Sequence, residues 1–267
     1  MTWMNFSFFA IITIILWFAG LLILSLSAKR IRLEWTGRIC IIIGIINLLF
    51  FTVMLWINLE RPPMRTLGET RLWYTIFLSS IGLITYLRWK YKTLLAFTIL
   101  MAFLFLLINL LHPETYDKTL MPALQSPWFI PHVIVYILAY AILAFSSMIA
   151  VYGLFKVYYR TKDSFTIKWA DNLVYIGFSF LTMGLLFGAL WAKEAWGHYW
   201  TWDPKETWAF LTWLSYLLYI HFRIFQPGKI KTPFWVLSLA FIVLLICWFG
   251  INYLPSAENS VHVYGTE

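Results

Sequence analysis

Apolar residues come in long unbroken runs along this chain and do not alternate with polar ones. Eight runs, at about 6–27, 38–59, 71–88, 93–112, 132–157, 170–192, 206–225 and 233–253, match the roughly 17–25 residues a helix needs to cross a bilayer. Lipid offers the backbone no hydrogen-bond partner, so only helices or closed barrels span it. Barrel strands repeat every two residues, and these runs do not. The pattern predicts an all-α polytopic membrane bundle of about eight transmembrane helices, forming a single domain over 1–267. The third run is the weakest, because Arg71 and Arg88 bracket it closely. The first lies where a signal peptide would. It has no basic segment before it and no small-residue cleavage site after it, so it reads as a retained helix.

Composition sharpens this picture. The 267 residues are 61% hydrophobic and 12% charged, against about 45–50% and about 25% in soluble domains. A soluble enzyme, a secreted disulfide scaffold and a disordered chain are excluded. The net charge of +8 raises the question of nucleic acid, and the placement of Lys and Arg answers it. With the N-terminus outside, the outward segments hold only Arg61, Arg65, Arg71, Lys118, Lys193 and Lys205, and the other fourteen basic residues face inward. That asymmetry places both termini on the outer, non-cytoplasmic side and leaves no basic excess for nucleic acid. Cys40 and Cys247 are far apart inside apolar runs, with no CxxC spacing. They support neither a zinc site nor a thiol relay.

Tryptophan is concentrated in one place. Residues 191–213 contain Trp191, Trp196, Trp200, Trp202, Trp208 and Trp213, six of the 16 in the chain. An interfacial aromatic belt explains some enrichment, but not its concentration at one of eight crossings. The residues that follow have a structural reading of their own. Asp203, Pro204 and Glu206 fit N-cap, N1 and N3 of the seventh helix, with capping-box spacing. A helix start fixed in this way holds the preceding tryptophans rigidly, as a flat shelf suited to a large planar apolar ligand.

The string Trp196-Gly197-His198-Tyr199-Trp200-Thr201-Trp202-Asp203 resembles the WWD signature of the haem-handling proteins. Its PKETW continuation through Trp208, then Trp213, Tyr219 and His221-Phe222-Arg223, resembles the CcsA (ResC) branch, part of the system II cytochrome c synthase. The related CcmC and CcmF proteins share WGxxWxWD and diverge after the aspartate. The likeness is strongest over about 185–225 and extends more loosely from about 125 to 265, roughly half the chain; the domain divides into N-terminal helices at 1–120 and this core at 125–265. Residues 61–71 sit where this branch has an outer loop before a helix.

Five histidines bear on this. His132 opens the fifth helix and His262 lies beyond the eighth, so both flank the tryptophan loop on the outer side. Two neutral imidazoles on opposite faces of a plane are what six-coordinate haem iron needs. The resemblance implies this pairing, since the family carries one outer ligand before the loop and one after it. His262-Val263-Tyr264-Gly265 resembles the family's HSYG tail, with Val for Ser. His221 stands 15 residues past Glu206, about 22 Å along the seventh helix at 1.5 Å per residue. It is open to two readings: an interfacial residue beside Arg223, or, as the resemblance implies, an intramembrane haem ligand whose counterpart comes from a CcsB (ResB) partner. His198 reads as a loop residue and His112 as an interfacial one.

The resemblance therefore implies a machine that binds haem b, moves it to the outer face and presents it to the CxxCH segment of an apocytochrome c. In it the chain acts as a haem-lyase component in a bacterial inner membrane or plastid thylakoid. The cofactor-binding residues on this reading are His132, His262, His221, Trp196, Trp200, Trp202, Asp203 and Trp208. Arg61, Arg65 and Lys193 are either propionate partners or ordinary loop charges. The alternatives are a haem exporter that forms no bond and, third, an electron-transfer cytochrome, which would place paired histidines deep in the bundle.

Overall fold

The structure is a computed structural model and describes residues 2–27, 30–116, 126–159 and 164–253. Among them are eight helices and no strand: α1 (Phe6–Leu26), α2 (Ile31–Leu59), α3 (Leu67–Trp89), α4 (Lys92–Leu111), α5 (Phe129–Tyr158), α6 (Ser164–Trp196), α7 (Pro204–Phe225) and α8 (Lys231–Trp248). The chain is thus a polytopic helical membrane protein. Six of the helices (α1, α2, α4, α5, α6 and α8) are long and apolar enough to cross a membrane by length and composition. The weak third run, α3, falls short of this, and so does α7. Both carry charge within their helical turns, at Glu69, Arg71 and Arg88 in the first and at Lys205, Glu206 and Arg223 in the second. Two helices extend well beyond their apolar runs. α2 takes in Arg32, Glu34 and Arg38, and α6 continues through Lys193 and Glu194 to Trp196.

The helices form two compact units, 1–120 and 121–267. In the first, α1 packs on α2 and α3 on α4. Lipid is as apolar as leucine, so close fit rather than apolar burial holds such helices together. The indole of Trp17, fully buried, fills a notch where a side chain at Gly44 would stand 2.5 Å from Nε1. Trp3 stacks on Tyr116 at 4.1 Å and 8°, tying the first turn of the chain to the segment after α4. At the start of α3, Thr66 is the N-cap in a capping box with Glu69. Glu69 is fully buried. Its carboxylate accepts from Arg61 Nη1 and Nη2 at 3.0 and 2.9 Å and from the backbone N–H groups of Arg65 and Thr66.

In the second unit α5 is the central helix, packed against α6 and α8, while α7 packs on α8 and α6. The α5–α6 seam runs antiparallel in one continuous register. Ser126 meets Glu194, Phe129 meets Trp191, His132 meets Gly188, Tyr136 meets Gly184 and Leu143 meets Gly177. At the three glycines a Cβ would stand 2.7–2.9 Å from the opposing side chain. This is the small-residue contact that lets membrane helices approach closely.

Candidate functional site

The end of the second unit where α5 begins, α6 finishes and α7 begins collects most of the residues singled out by sequence. α5 starts at Phe129, so Pro131 falls in the first turn, where a missing N–H costs nothing. This places His132 one turn inside the helix, half-buried against α6. Its Nδ1 is 2.9 Å from Gly184 O. A carbonyl only accepts, so Nδ1 carries the hydrogen and Nε2 keeps the lone pair. The ring packs edge-on to Tyr136 at 4.7 Å and tilts against Trp191 at 5.4 Å. Gly188 makes room for it, because a Cβ there would lie 2.7 Å from Cε1 and 2.8 Å from Nδ1.

Aromatic rings extend from this imidazole in two directions. Trp191 continues to Phe129 at 5.1 Å and to Trp196 at 4.8 Å. Tyr136 continues to Tyr140 at 5.4 Å, one turn further along α5, and then to Trp248 of α8 at 5.3 Å.

The loop between α6 and α7 is short and tightly anchored. Gly197 turns the chain at φ 85°, where open space surrounds it. Lys193 ties down this entry, with Nζ donating to Gly197 O at 2.8 Å and lying 5.4 Å over the Tyr199 ring. At the exit Asp203 caps α7, accepting from Lys205 N at 2.8 Å. Glu206 closes the capping box and reaches further, since its Oε2 accepts from Thr201 N, Thr201 Oγ1 and Asp203 N at 2.8, 3.3 and 3.2 Å. One carboxylate oxygen therefore holds the backbone on both sides of Trp202. That residue sits at φ 60°, a left-handed conformation that is unfavourable for a bulky side chain, and its indole is 64% exposed. Trp200 lies beneath it, 5.8 Å away and nearly perpendicular. The Trp200 Nε1 hydrogen is buried without a partner. Phe210 packs edge-on to both rings and stacks with Trp213, which reaches α6 through Phe178 and through a 2.9 Å bond from its Nε1 to Thr182 Oγ1.

The structure thus brings His132, Trp196, Trp200, Trp202 and Asp203 to one end of the unit. Trp208 lies on the first two turns of α7, half-buried. His262 lies outside the described residues. His221 is elsewhere, the eighteenth residue of α7 and so about 26 Å from its start at 1.5 Å per residue. It is exposed, with Nδ1 3.0 Å from Leu217 O, which again leaves the lone pair on Nε2. His198 is an exposed loop residue. His112 pairs with Glu114 at 2.7 Å, and Glu114 is held below the usual carboxylate range first by its own backbone N–H and then by His112. Two of the three basic candidates already have protein partners: Lys193 on Gly197 O, and Arg61 on the buried Glu69. The Nε of Arg65 is buried without a hydrogen-bond partner, and burial, then the Arg61 charge, pulls its pKa down.

Sequence reasoning missed three features. The glycine cradle under His132 and Tyr136 was signalled by the Gly184-x3-Gly188 spacing. The second anchor of Glu206, on Thr201, had no sequence signal. Asp171 was also missed. Its carboxylate receives Tyr219 Oη at 2.7 Å and both Nε and Nη2 of Arg223 at 2.9 Å.

Fold and site together define a class: a helical membrane protein that sets an oriented imidazole beside a rigid tryptophan-rich loop at one end of a four-helix unit. A family model described as cytochrome c assembly protein matches residues 56–257. The chain is 32% identical to the cytochrome c biogenesis protein CcsA of Chlamydomonas reinhardtii, over 91% of this chain and 72% of that one. It is 34% identical to CcsA of Cuscuta reflexa over 79% of each, and 30% identical to CcsA of Phalaenopsis aphrodite subsp. formosana over 100% of this chain and 97% of that one. The chain belongs to the cytochrome c assembly protein family, in its CcsA branch.

Proposed function

We propose that this chain acts in cytochrome c biogenesis by holding haem at the tryptophan-rich end of its second unit and presenting it to a CxxCH apocytochrome c. The observation that carries the reading is the His132–Gly184 hydrogen bond. Histidines that ligate metals almost always donate their other ring N–H to a carbonyl or carboxylate, which fixes the tautomer and the ring. His132 is held in that state, with Nε2 as the donor that suits haem iron. The loop supports the same reading. Trp202 presents an exposed ring from a strained, pinned backbone, and Trp200 offers a buried N–H that an acidic porphyrin edge would satisfy. Asp203 fixes the end of the loop by capping α7, Trp196 packs on Trp191 behind His132, and Trp208 follows on the same helix.

Haem here is substrate. Each thioether forms by addition of a cysteine S–H across a haem vinyl group, with sulfur bonded to one vinyl carbon and hydrogen to the other, so the addition itself needs no oxidant. The contribution of the protein is placement, since fixing thiol and vinyl together removes a large entropic barrier. On this reading His262 supplies the second axial nitrogen. One of the two imidazoles then gives way to the histidine of CxxCH. His221 holds haem within the bilayer, with its counterpart from a CcsB (ResB) partner. The loop faces the periplasm of a bacterial inner membrane or the lumen of a thylakoid.

The test is His132→Ala and His262→Ala in the complex purified with its partner, read by Soret absorbance. Loss or shift of the band is expected, and unchanged loading with an unchanged spectrum removes the ligand assignment. Co-expression with an apocytochrome, followed by denaturation, separates a synthase from an exporter, because only the synthase leaves haem covalently attached.

A further inference from the structure

Asp171 has no role in the reading above, yet its carboxylate accepts three hydrogen bonds, as many as Glu206 accepts in the loop. It sits on α6, 9% exposed. Oδ1 receives Tyr219 Oη at 2.7 Å and Arg223 Nε at 2.9 Å, and Oδ2 receives Arg223 Nη2 at 2.9 Å. The remaining arm of the guanidinium, Nη1, donates to Pro227 O at 3.0 Å and Lys229 O at 3.3 Å. One carboxylate thereby ties α6 to α7 and to the turn that leads into α8.

The spacing gives this clamp a directional consequence. Tyr219 and Arg223 are one helical turn apart and share a face of α7. His221 lies midway between them, two residues from each, which at 100° per residue turns it to the opposite face. The same bonds that draw 219 and 223 onto α6 therefore turn the 221 imidazole outward. That is where it is found, exposed, with its Nδ1 hydrogen on Leu217 O. His221 stands four residues before the end of α7 and is exposed there, so the rotation of that helix alone decides what its imidazole can meet. A bidentate arginine–carboxylate pair fixes orientation more strictly than apolar packing does.

We propose that Asp171, acting through Tyr219 and Arg223, is a positioning residue that sets the rotation of α7 and so the direction in which residue 221 faces. Its consequence for haem rests on the reading of His221 as a ligand, whereas the rotation itself does not. Asp171 touches no substrate.

Two measurements separate these claims. For the rotation, nitroxide labels are placed at 221 and at the exposed Ser179 of α6, with Cys40 and Cys247 replaced, in the full chain with its partner. Electron spin resonance then gives the 179–221 distance distribution. A single narrow distribution is expected, and it should broaden or shift on Asp171→Asn. The milder Tyr219→Phe, which removes one of the bonds to the carboxylate, should give a smaller change in the same direction and serves if Asp171→Asn does not fold. For the consequence, unlabelled Asp171→Asn should lose the same part of the Soret absorbance as His221→Gly, and added imidazole should restore it in both, because a free ligand needs no positioning. An unchanged distance distribution in both variants overturns the proposal. So does haem loss in Asp171→Asn that imidazole does not restore while His221→Gly responds to it. If His221→Gly keeps all its haem, the ligand reading fails and the label distance alone decides the rotation.

Discussion

His132 donates its Nδ1 hydrogen to the carbonyl oxygen of Gly184 at 2.9 Å across the α5–α6 seam, and one turn further along α6 Gly188 leaves the space its ring occupies. Orientation of the imidazole is therefore a property of α6 as much as of α5. Gly188→Ala should put a methyl group 2.7 Å from Cε1 and push the ring off the Gly184 carbonyl. Overpacking of this kind costs typically about 1–3 kcal/mol. The variant is expected to fold, melt at lower temperature and show an altered or lost Soret band. Gly177→Ala is the matched control. Its Cβ meets Leu143 at the same 2.7 Å but away from the imidazole, so its melting temperature should fall while its haem spectrum stays. Equal spectra for the two variants would show that the cradle does not orient a ligand.

Trp202 illustrates strain held in place by its neighbours. A bulky residue in the left-handed region costs of order 1–3 kcal/mol, and glycine there is relaxed but loses more entropy on folding. The two effects oppose each other, so Trp202→Gly should change unfolding stability by under about 1 kcal/mol. Haem retention should nevertheless fall well below that of the parent, because the exposed indole is gone. Thermal unfolding and haem content, measured on one detergent preparation, check both halves. A large stability loss would mean that the ring is structural.

Glu206→Ala should act differently. It removes the acceptor for Thr201 N, Thr201 Oγ1 and Asp203 N together. Loss of a helix cap costs roughly 0.5–2 kcal/mol, and the loop should loosen with it. Tryptophan fluorescence is expected to shift to the red and become more accessible to a soluble quencher. Glu206→Gln, which keeps one acceptor oxygen, should lie between parent and alanine variant.

These contrasts show which features could be read from the chain. Helix number and the cap at Asp203 and Glu206 follow from local rules, a run of apolar length and an N-cap-to-N3 spacing, and the structure agrees with both. α3 and α7 are less apolar than a simple span because their ends carry the charges that cap them or pair, such as Glu69 and Arg223. The unread features join residues distant in sequence. Asp171 and Arg223 lie 52 positions apart, as do His132 and Gly184, and no period within either helix points to the other. Arg61 is the instructive case. As a loop cation it suits a carboxylate ligand, and the structure supplies a carboxylate from its own chain.

That pair gives the last prediction. Glu69 is fully buried, and Arg61 neutralises it through two bonds while two backbone N–H groups complete its shell. Removing one partner of a buried pair leaves the other charge uncompensated, at about 3–5 kcal/mol. Arg61→Ala strands an ionised carboxylate, and its remaining bonds come only from backbone. Arg61→Ala combined with Glu69→Gln leaves an uncharged amide that still accepts at the cap. The single variant should therefore be the less stable of the two, although it carries fewer changes. Thermal unfolding of the purified protein should show Arg61→Ala lowest, the double variant intermediate and the parent highest. If Arg61 instead serves a ligand and contributes little to the cap, Arg61→Ala alone will melt close to the parent, and haem content rather than stability will fall.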